Sequence, residues 1–429
     1  MKHKKLFISL VAVATVAIFF AVFLMIWFFG DRYEDFADNF RQEFEIAGLK
    51  DGATPQGITA FTANYDDTDA DGKPVTRSQQ YFFVSAYMKD GSPSRIYVTG
   101  DKTGYVGYVT MKTQEGEDFY GHCGGIATNG GTLWITGENK VHVAKASKEY
   151  SDARKNITRE IVERAASADP EQKYVTFTAE FNANCNASYI YYFDDPRYTS
   201  QTYDRLYVGE FYRAGNYKTD EKHKLTTPAG YKNNAFMYEY NVSSSSENKY
   251  GLVTIDNDEL DEENKVPRIQ RIFSLPEKIQ GVAFSGRTGY GSNDGLLVLS
   301  QSYALANSHL LCFDYKTVIG SSKKYNSKDV AGESFVYDGV YKTIGSSKVP
   351  YTDETLNLYY VDLNDKAMFV KDYSIPSMSE GLCVVTPNTS GNGPRSRVYV
   401  LFESATKKYG LFVREQLKHV YSFIPRFTD

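Results

Sequence analysis

Polar side chains recur at matched positions along this chain, and together they could bind a polar ligand or a metal ion. They form five pairs: Gln56 with Ser85, His122 with Glu138, Asn186 or Ser188 with Glu210, Gln280 with Ser300, Gln301 and Ser302, and Glu380 with Glu403. Carboxylate, amide and hydroxyl oxygens are ligands for calcium and for polar molecules. A histidine titrates near neutral pH, so His122 could act as a general base oriented by Glu138, and an inert channel-lining histidine is the alternative. In a hydrolase, His122 or Glu380 would handle protons.

A repeated glycine motif indicates how these pairs are positioned. A polar or small residue, a glycine and an aliphatic residue open a short apolar run at Gln56-Gly57-Ile58, Gly124-Gly125-Ile126, Gln280-Gly281-Val282 and Glu380-Gly381-Leu382. A second apolar run follows each of them. If the two runs pair as antiparallel strands, the start of the first lies beside the end of the second, which brings each polar pair together. We expect each glycine to lie where strands crowd and a side chain would clash.

The repeats predict an all-β fold, specifically a β-propeller of five blades. Six blades remain an alternative if residues 234–275 hide another repeat. We assign Val175 to Phe181 to the third repeat and Leu358 to Val361 to the fourth. A strand over Glu45 to Leu49 is placed to complete the last blade. The propeller then covers 45–429, with a helical insert at 150–170 and a loop insert at 316–355.

Two groups of side chains are candidate calcium ligands. The first comprises Glu138, Glu210 and Glu403 at the mouth of the central channel. The second comprises Asp67, Asp69 and Asp71 before Gly72, which is how a calcium-binding loop begins. The twelfth position of that loop is Ser78 rather than glutamate. A solvated acidic turn is therefore the alternative for the second group.

The order of polar residues along the repeats resembles that of one propeller family. Ser85, Glu138, Glu210, Ser300 and Glu403 are similar in type and order to the central calcium ring of five-bladed calcium-dependent apyrases. Met378-Ser379-Glu380-Gly381 resembles a motif of phytase-like and esterase-like propellers. The resemblance implies a five-bladed propeller that binds calcium in its channel and hydrolyses a phosphoester.

The first residues of the chain predict a membrane anchor. Residues 1–5 are basic, and residues 6–29 carry no charge. As a helix the latter would span roughly 36 Å, enough for a bilayer core of about 30 Å. The last residues of this apolar segment are bulky, which argues against cleavage by a signal peptidase. The basic side belongs in the cytoplasm, the rest lies outside, and Tyr33, Phe36, Phe40 and Phe44 predict a helical stalk over 30–44.

Composition excludes several functions. The net charge of −5 argues against nucleic acid as a partner. Cys123, Cys185, Cys312 and Cys383 have no spacing for a thiolate zinc site and are expected to be buried free thiols. No phosphate-binding loop, nucleophile elbow or dinucleotide fingerprint is present.

Two functions fit these residues. The first is a membrane-anchored, extracytoplasmic propeller that binds a small molecule, a glycan or a protein at its channel mouth. The predicted ligand-binding residues are Gln56, Ser85, His122, Glu138, Glu210, Gln280, Gln301, Glu380 and Glu403. The alternative is a calcium-dependent hydrolase of a phosphoester or another small polar substrate at the same site, with His122 and Glu380 as catalytic residues.

Overall fold

Nearly all regular structure from residue 33 onward is β. The computed structural model describes residues 15–19, 21, 33–68, 71–148, 156–194, 204–243, 245, 248–255, 265–286, 295–324, 335–344, 347–353, 356–385, 396–409, 413 and 415–426. Within these ranges the strands form five larger sheets and two two-stranded hairpins. The all-β class that the sequence predicts is confirmed.

The first two sheets consist mainly of strands that follow one another along the chain. In order across the first sheet these are β2 (Ala53–Thr68), β3 (Pro74–Met88), β4 (Arg95–Gly100), β5 (Gly104–Lys112) and β9 (Tyr174–Thr176). In order across the second sheet they are β6 (Gly125–Thr128), β7 (Thr132–Gly137), β8 (Lys140–Lys145) and β10 (Ala179–Phe181). All neighbours are antiparallel except β5 and β9, which are parallel.

The other three sheets also consist mainly of strands that follow one another along the chain. The third contains β11 (Ala187–Phe193), β12 (Arg205–Glu210), β15 (Ala235–Asn241), β16 (Ile269–Leu275), β23 (Asn357–Tyr360) and β20 (Lys323–Lys324). The fourth contains β17 (Ile279–Gly286), β18 (Gly295–Gln301), β19 (Ser308–Asp314) and β24 (Phe369–Ile375). The fifth contains β25 (Ser379–Val385), β26 (Arg397–Phe402), β27 (His419–Phe423) and β1 (Arg41–Glu45). The hairpins are β13 (Leu225–Thr226) with β14 (Lys232–Asn233), and β21 (Phe335–Ile344) with β22 (Ser347–Asp353).

Within the described residues from 33 onward, helices are short, and all but the first lie between strands. They are α1 (Glu34–Asn39), α2 (Ile157–Ala166), α3 (Tyr315–Gly320) and the 3₁₀ turns Pro170–Gln172 and Glu221–His223. The Asn156 side chain caps α2 by accepting from the Arg159 backbone N–H over 3.0 Å. Ile157, Ile161 and Ala165 recur on one face of α2 and are buried against the first two sheets. This helix lies within the insert that the sequence predicts at 150–170.

The hydrophobic core lies between the faces of neighbouring sheets. Phe83 with Leu133 lies between the first and second sheets, and Trp134 with Phe236 between the second and third. Aromatic pairs join the remaining faces: Tyr207 with Phe284 (ring centroids 4.4 Å apart), Tyr373 with Phe423 (5.3 Å) and Phe82 with Tyr399 (4.9 Å). Central strands such as β18 are therefore apolar on both faces rather than alternating.

The first strands of the five sheets pack against one another. Strand β2 packs against β6 and β25, β11 packs against β6 and β17, and β17 packs against β25. A Cβ atom on Gly125 would lie 2.5 Å from the Ile190 backbone nitrogen, and one on Gly57 would lie 2.7 Å from Gly125 Cα. The prediction that the motif glycines permit close strand approach is therefore confirmed.

The N-terminal strand differs from the predicted one in position. Strand β1 covers Arg41–Glu45, rather than 45–49, and pairs antiparallel with β27. The helix predicted over 30–44 is only α1, because Phe40 is extended (φ −104°, ψ 139°). The spaced phenylalanines pack on the fifth sheet instead: Phe36 lies 4.8 Å from Tyr421 and Phe40 lies 4.6 Å from Phe423, between ring centroids.

Two other strand assignments are corrected. The run Val175 to Phe181 does not open the third sheet, because β9 joins the first sheet and β10 joins the second. Strand β23 pairs in parallel with β16 of the third sheet, whereas the fourth sheet is completed by β24. The sequence of a short outer strand says little about its partner. Such a strand pairs with the sheet edge that the chain happens to run beside.

Among the described residues, no helix is long and apolar enough to cross a bilayer. The anchor predicted over 6–29 falls largely outside those residues. The four cysteines are free in the structure, with Cys185 half-buried and the other three buried.

Candidate functional site

Two glutamates of the fifth sheet come together where β25 begins and β26 ends. Glu380 is the second residue of β25, and Glu403 directly follows β26, which is antiparallel to it. The Glu403 backbone N–H donates to the Met378 carbonyl over 3.0 Å, which fixes the start of one strand beside the end of the other. Both side chains are buried, Glu380 being 5% exposed and Glu403 9% exposed.

Burial raises the pKa of both carboxyl groups. The pKa of Glu380 is raised well above the usual value by burial and by the charge of Glu403, while Lys408 opposes this shift. Burial also raises the pKa of Glu403, against the effects of the Tyr409 hydrogen bond, Lys408, Gln56 and Lys89. Two adjacent buried carboxyls titrate as a unit, so this pair keeps a proton to higher pH than an exposed glutamate does.

Glu403 is the member of the pair that accepts hydrogen bonds. Its Oε1 accepts from the Tyr409 hydroxyl over 2.8 Å, and its Oε2 accepts from the Gln56 amide over 3.2 Å. Within the described part of the chain, the Glu380 side chain has no hydrogen-bond partner from the protein. The surroundings therefore favour charge on Glu403 and a proton on Glu380.

Lys408 supplies positive charge next to this pair. Its ammonium nitrogen lies 4.8 Å from the centroid of the Tyr409 ring. Partial burial acts to lower the pKa of Lys408, but the Tyr409 hydrogen bond and the nearby Tyr87, Tyr409 and Glu403 raise it overall. Lys408 is therefore a permanent cation at the edge of the site.

His122 lies at the same edge, just before the second sheet begins. Its ring stacks on Tyr87, with centroids 4.6 Å apart and planes at 29°. The residue keeps exposed surface, yet its ring is densely surrounded by protein, and this burial together with the charge of Lys408 lowers its pKa. His122 is thus a neutral proton acceptor at neutral pH, near Lys408.

Ser85 and Gln301 have structural partners. The Ser85 hydroxyl accepts from the Gly57 backbone N–H over 3.2 Å and donates to the Cys123 carbonyl over 2.9 Å. The Gln301 amide donates to the Glu277 carbonyl over 2.8 Å. Both side chains hold strand ends in place, while Gln280 lies half-buried on β17.

Glu138 and Glu210 have different surroundings from the Glu380–Glu403 pair. Glu138 is exposed in the turn between β7 and β8, where φ is +52°. Glu210 is buried at the end of β12, where its Oε1 accepts from His223 Nδ1 over 2.5 Å and from the Phe236 backbone N–H over 2.8 Å. The structure therefore brings Gln56, Glu380 and Glu403 together, but surrounds the other two carboxylates differently.

No group of three or more His, Cys, Asp or Glu side chains in the described ranges is arranged to hold a metal ion. The calcium set of Glu138, Glu210 and Glu403 stays a prediction. Of the acidic loop, Asp71 is exposed in a turn, whereas Asp69 and the side chain of Asp67 lie outside the described residues.

Sequence reasoning missed Lys408, Tyr409 and His223. Two successive turns after β26 bring Tyr409 back to Glu403. In the first turn the Thr406 N–H donates to the Glu403 carbonyl, and in the second the Tyr409 N–H donates to the Thr406 carbonyl. The sequence feature that could have indicated Lys408 and Tyr409 is the short polar segment directly after a strand that ends at the site. His223 lies in a 3₁₀ turn that has no periodic pattern.

Comparison with known proteins gives no family for this chain. No family model matches it, and no curated protein matches it significantly. A function for this chain must therefore be inferred from the chemistry of the side chains just described.

Proposed function

We propose that this protein is a five-bladed β-propeller that binds a small polar ligand at the mouth of its central channel. The observation that carries the proposal is the buried Glu380–Glu403 pair beside Lys408. Placing two carboxyls side by side in a largely buried position is unfavourable, and carboxyls with strongly raised pKa values are concentrated at functional sites.

The blade count is supported by how the sheets meet. Each of the five inner strands packs against two others, and aromatic pairs fill the space between neighbouring sheets. The N-terminal strand β1 completes the sheet formed by the last strands of the chain. Joining the first and last segments in one sheet is how a ring of blades removes exposed edges.

The location that we propose follows from the sequence. An apolar segment over 6–29 preceded by a basic end favours an N-terminal helix that holds the propeller on the outer side of a membrane. The channel mouth would then face the extracytoplasmic space or the membrane surface.

The charges at the mouth favour a ligand with an oxyanion and a further oxygen. Lys408 and Lys89 are cations, Glu403 accepts hydrogen bonds, and the raised pKa of Glu380 favours a proton that this side chain could donate. An anionic oxygen would pair with Lys408, and a carbonyl or hydroxyl oxygen would accept from Glu380.

Calorimetry of the full-length protein tests this proposal, with succinate and inorganic phosphate as oxyanion probes. We expect saturable heat with at least one probe, and its loss in Lys408→Met. Lys407→Met is the matched control, because Lys407 is also exposed on this turn but donates to the Lys50 carbonyl. Absence of heat with both probes, or equal loss in the two variants, would reject an oxyanion site at the mouth.

The different surroundings of the two carboxyls support a hydrolase as the second candidate. A protonated Glu380 would act as general acid and Glu403 as general base, which is the division of labour in sites with two carboxyls of unlike pKa. Turnover of 4-nitrophenyl phosphate that falls by about 100-fold or more in both Glu380→Gln and Glu403→Gln supports this candidate. Repeating the assay with calcium and with a chelator tests the calcium-dependent form, and no turnover under any condition removes the hydrolase.

A further inference from the structure

A cavity of about 400 Å³ opens between the second and third sheets. Its volume falls in the range of about 300–1,000 Å³ that small-molecule sites occupy. It shares no residue with the cluster around Glu380. Its lining is Asn139, Asn182, Asn184, Cys185, Asn186, Glu210, Asp220, Lys222, His223, Phe236, Tyr238, Phe335 and Val336.

The loop that carries three of the asparagines is held in place by buried tyrosines. The Tyr238 hydroxyl donates to the Asn184 carbonyl over 3.3 Å, and the Tyr240 hydroxyl donates to the Ala183 carbonyl over 3.1 Å. The Asn184 backbone N–H donates to Asn182 Oδ1 over 2.8 Å. The loop is therefore fixed before any ligand arrives, which lowers the entropic cost of binding.

The charges of this cavity are balanced within the protein. Glu210 is 1% exposed, and its Oε1 accepts from His223 Nδ1 and the Phe236 backbone N–H. At the rim, Asp220 and Lys222 carry opposite charges two positions apart. A charged ligand would have no excess of opposite charge to pair with, so the cavity suits a neutral one.

The polar walls are dominated by amides. An asparagine amide carries both donors and an acceptor, and Asn139, Asn182, Asn184 and Asn186 line one space. Some of these groups also bond within the protein: Asn182 Oδ1 accepts from the Asn184 backbone N–H, and the Asn186 amide donates to the Lys218 carbonyl over 3.4 Å. Hydroxyl groups also donate and accept at once, so a ring of hydroxyls matches a ring of amides. Phe335 and Val336 add an apolar wall for the C–H face of such a ligand, and Val336 is 41% exposed there.

We infer that this cavity binds a neutral carbohydrate. The fixed loop presents asparagine amides to the ligand. Glu210 in the cavity wall is already bonded to His223 and the Phe236 backbone N–H, and Phe335 with Val336 provides the apolar wall for a C–H face. This site is independent of the proposed oxyanion site at the channel mouth.

Saturation-transfer NMR tests the inference with glucose, galactose and N-acetylglucosamine as probes. The full-length protein is used in a detergent without a sugar headgroup, because such a headgroup would compete. We expect transfer to at least one sugar, and an affinity about tenfold or more weaker in the double variant Asn139→Gly with Asn186→Ala. Glycine suits position 139 because φ is +64° there, so the backbone is not strained.

Two controls separate this site from general damage and from the mouth. Asn307→Ala removes an exposed amide outside the cavity, one that accepts from the Tyr33 hydroxyl, and is expected to leave sugar binding unchanged. Lys408→Met is likewise expected to have no effect on it. No transfer to any of the three sugars, or transfer that persists unchanged in the double variant, overturns the inference.

Discussion

The side-chain amide of Gln56 donates to Glu403 Oε2 over 3.2 Å, and this bond joins the first sheet to the fifth. Gln56 is 4% exposed, and its amide also donates to the Pro55 carbonyl over 2.9 Å. The carboxylate that it contacts is thereby held as an acceptor, while burial and the charge of Glu403 raise the pKa of Glu380 beside it. The first and fifth sheets thus meet at the residues that we expect to bind the ligand.

Replacing Glu380 with glutamine should change how stability depends on pH. Burial and Glu403 raise the pKa of Glu380 above that of the unfolded chain, so protonation favours the folded state. The stabilisation that protonated Glu380 contributes is fully present below the pKa of the unfolded chain. It is lost as pH rises through the pKa of the folded protein. At high pH the loss is about 1.4 kcal/mol for every tenfold difference between the folded and unfolded acid dissociation constants. Urea unfolding at pH 5 to 8 should therefore show Glu380→Gln more stable than the natural chain at the upper end.

Glu117→Gln is the matched control for this experiment, because Glu117 is exposed in a turn and has no contact with the pair. It should leave the pH dependence unchanged. If Glu380→Gln destabilised the chain equally at every pH, the carboxyl would be a structural hydrogen-bonding group and the assignment of the proton to Glu380 would be wrong.

His122 and His309 should titrate on opposite sides of the usual histidine pKa. Burial and Lys408 lower the pKa of His122, whereas the hydrogen bond from His309 Nδ1 to Asp372, over 2.9 Å, raises that of His309. Stability linked to His122 is lost as pH falls, and that linked to His309 is lost as pH rises through its folded pKa. Histidine NMR titration measures both values.

Single variants check the cause of each shift. Lys408→Met should raise the pKa of His122 and leave His309 alone, while Asp372→Asn should lower the pKa of His309 only. Because His309 and Asp372 are each more than a third exposed, solvent screening keeps the effect on stability small. Equal pKa values for the two histidines would contradict both assignments.

The sheets could be predicted because their signals are local. Gly57, Gly125, Gly281 and Gly381 each precede an aliphatic run, and close approach of inner strands requires a residue without a side chain at those points. The pairing of Glu380 with Glu403 followed from antiparallel strand geometry alone.

What could not be predicted depends on distant parts of the chain. Strand β23 joins the third sheet although the chain has already built part of the fourth, and β1 pairs with a strand near the other terminus. Short sequences also adopt different structures: Thr317 to Gly320 ends α3, whereas the similar Thr343-Ile344 ends β21. Tertiary contacts decide such segments.

Truncating Phe40 should weaken the closure of the fifth sheet onto the N-terminal segment. Its ring stacks on Phe423 at 4.6 Å and lies 6.2 Å from Tyr373, between centroids. Because Phe40 is half-buried, Phe40→Ala should cost about 2 kcal/mol, less than a fully buried phenylalanine. Urea unfolding measures this loss, and Gln42→Ala on exposed β1 should change little. Equal effects of the two variants would mean that the aromatic contact does not hold β1.

Adding one methyl group at Gly125 should strongly destabilise the protein, because the inner strands leave no space for it. The new Cβ would lie 2.5 Å from the Ile190 backbone nitrogen and 3.0 Å from its Cγ2. A backbone atom of the neighbouring sheet cannot rotate away, so the inner strands must separate. We expect Gly125→Ala to lower the free energy of unfolding by about 1–3 kcal/mol, as over-packing does elsewhere.

Gly320 gives the matched control for this substitution. A Cβ there would meet nothing within 4 Å, and the residue ends α3. Gly320→Ala should therefore be neutral or stabilising by up to about 1 kcal/mol, since alanine favours a helix over glycine. Urea unfolding of both variants compares the same chemical change in crowded and open space. A neutral Gly125→Ala would mean that the inner strands are not held in contact, and the proposed ring of five blades would fail with it.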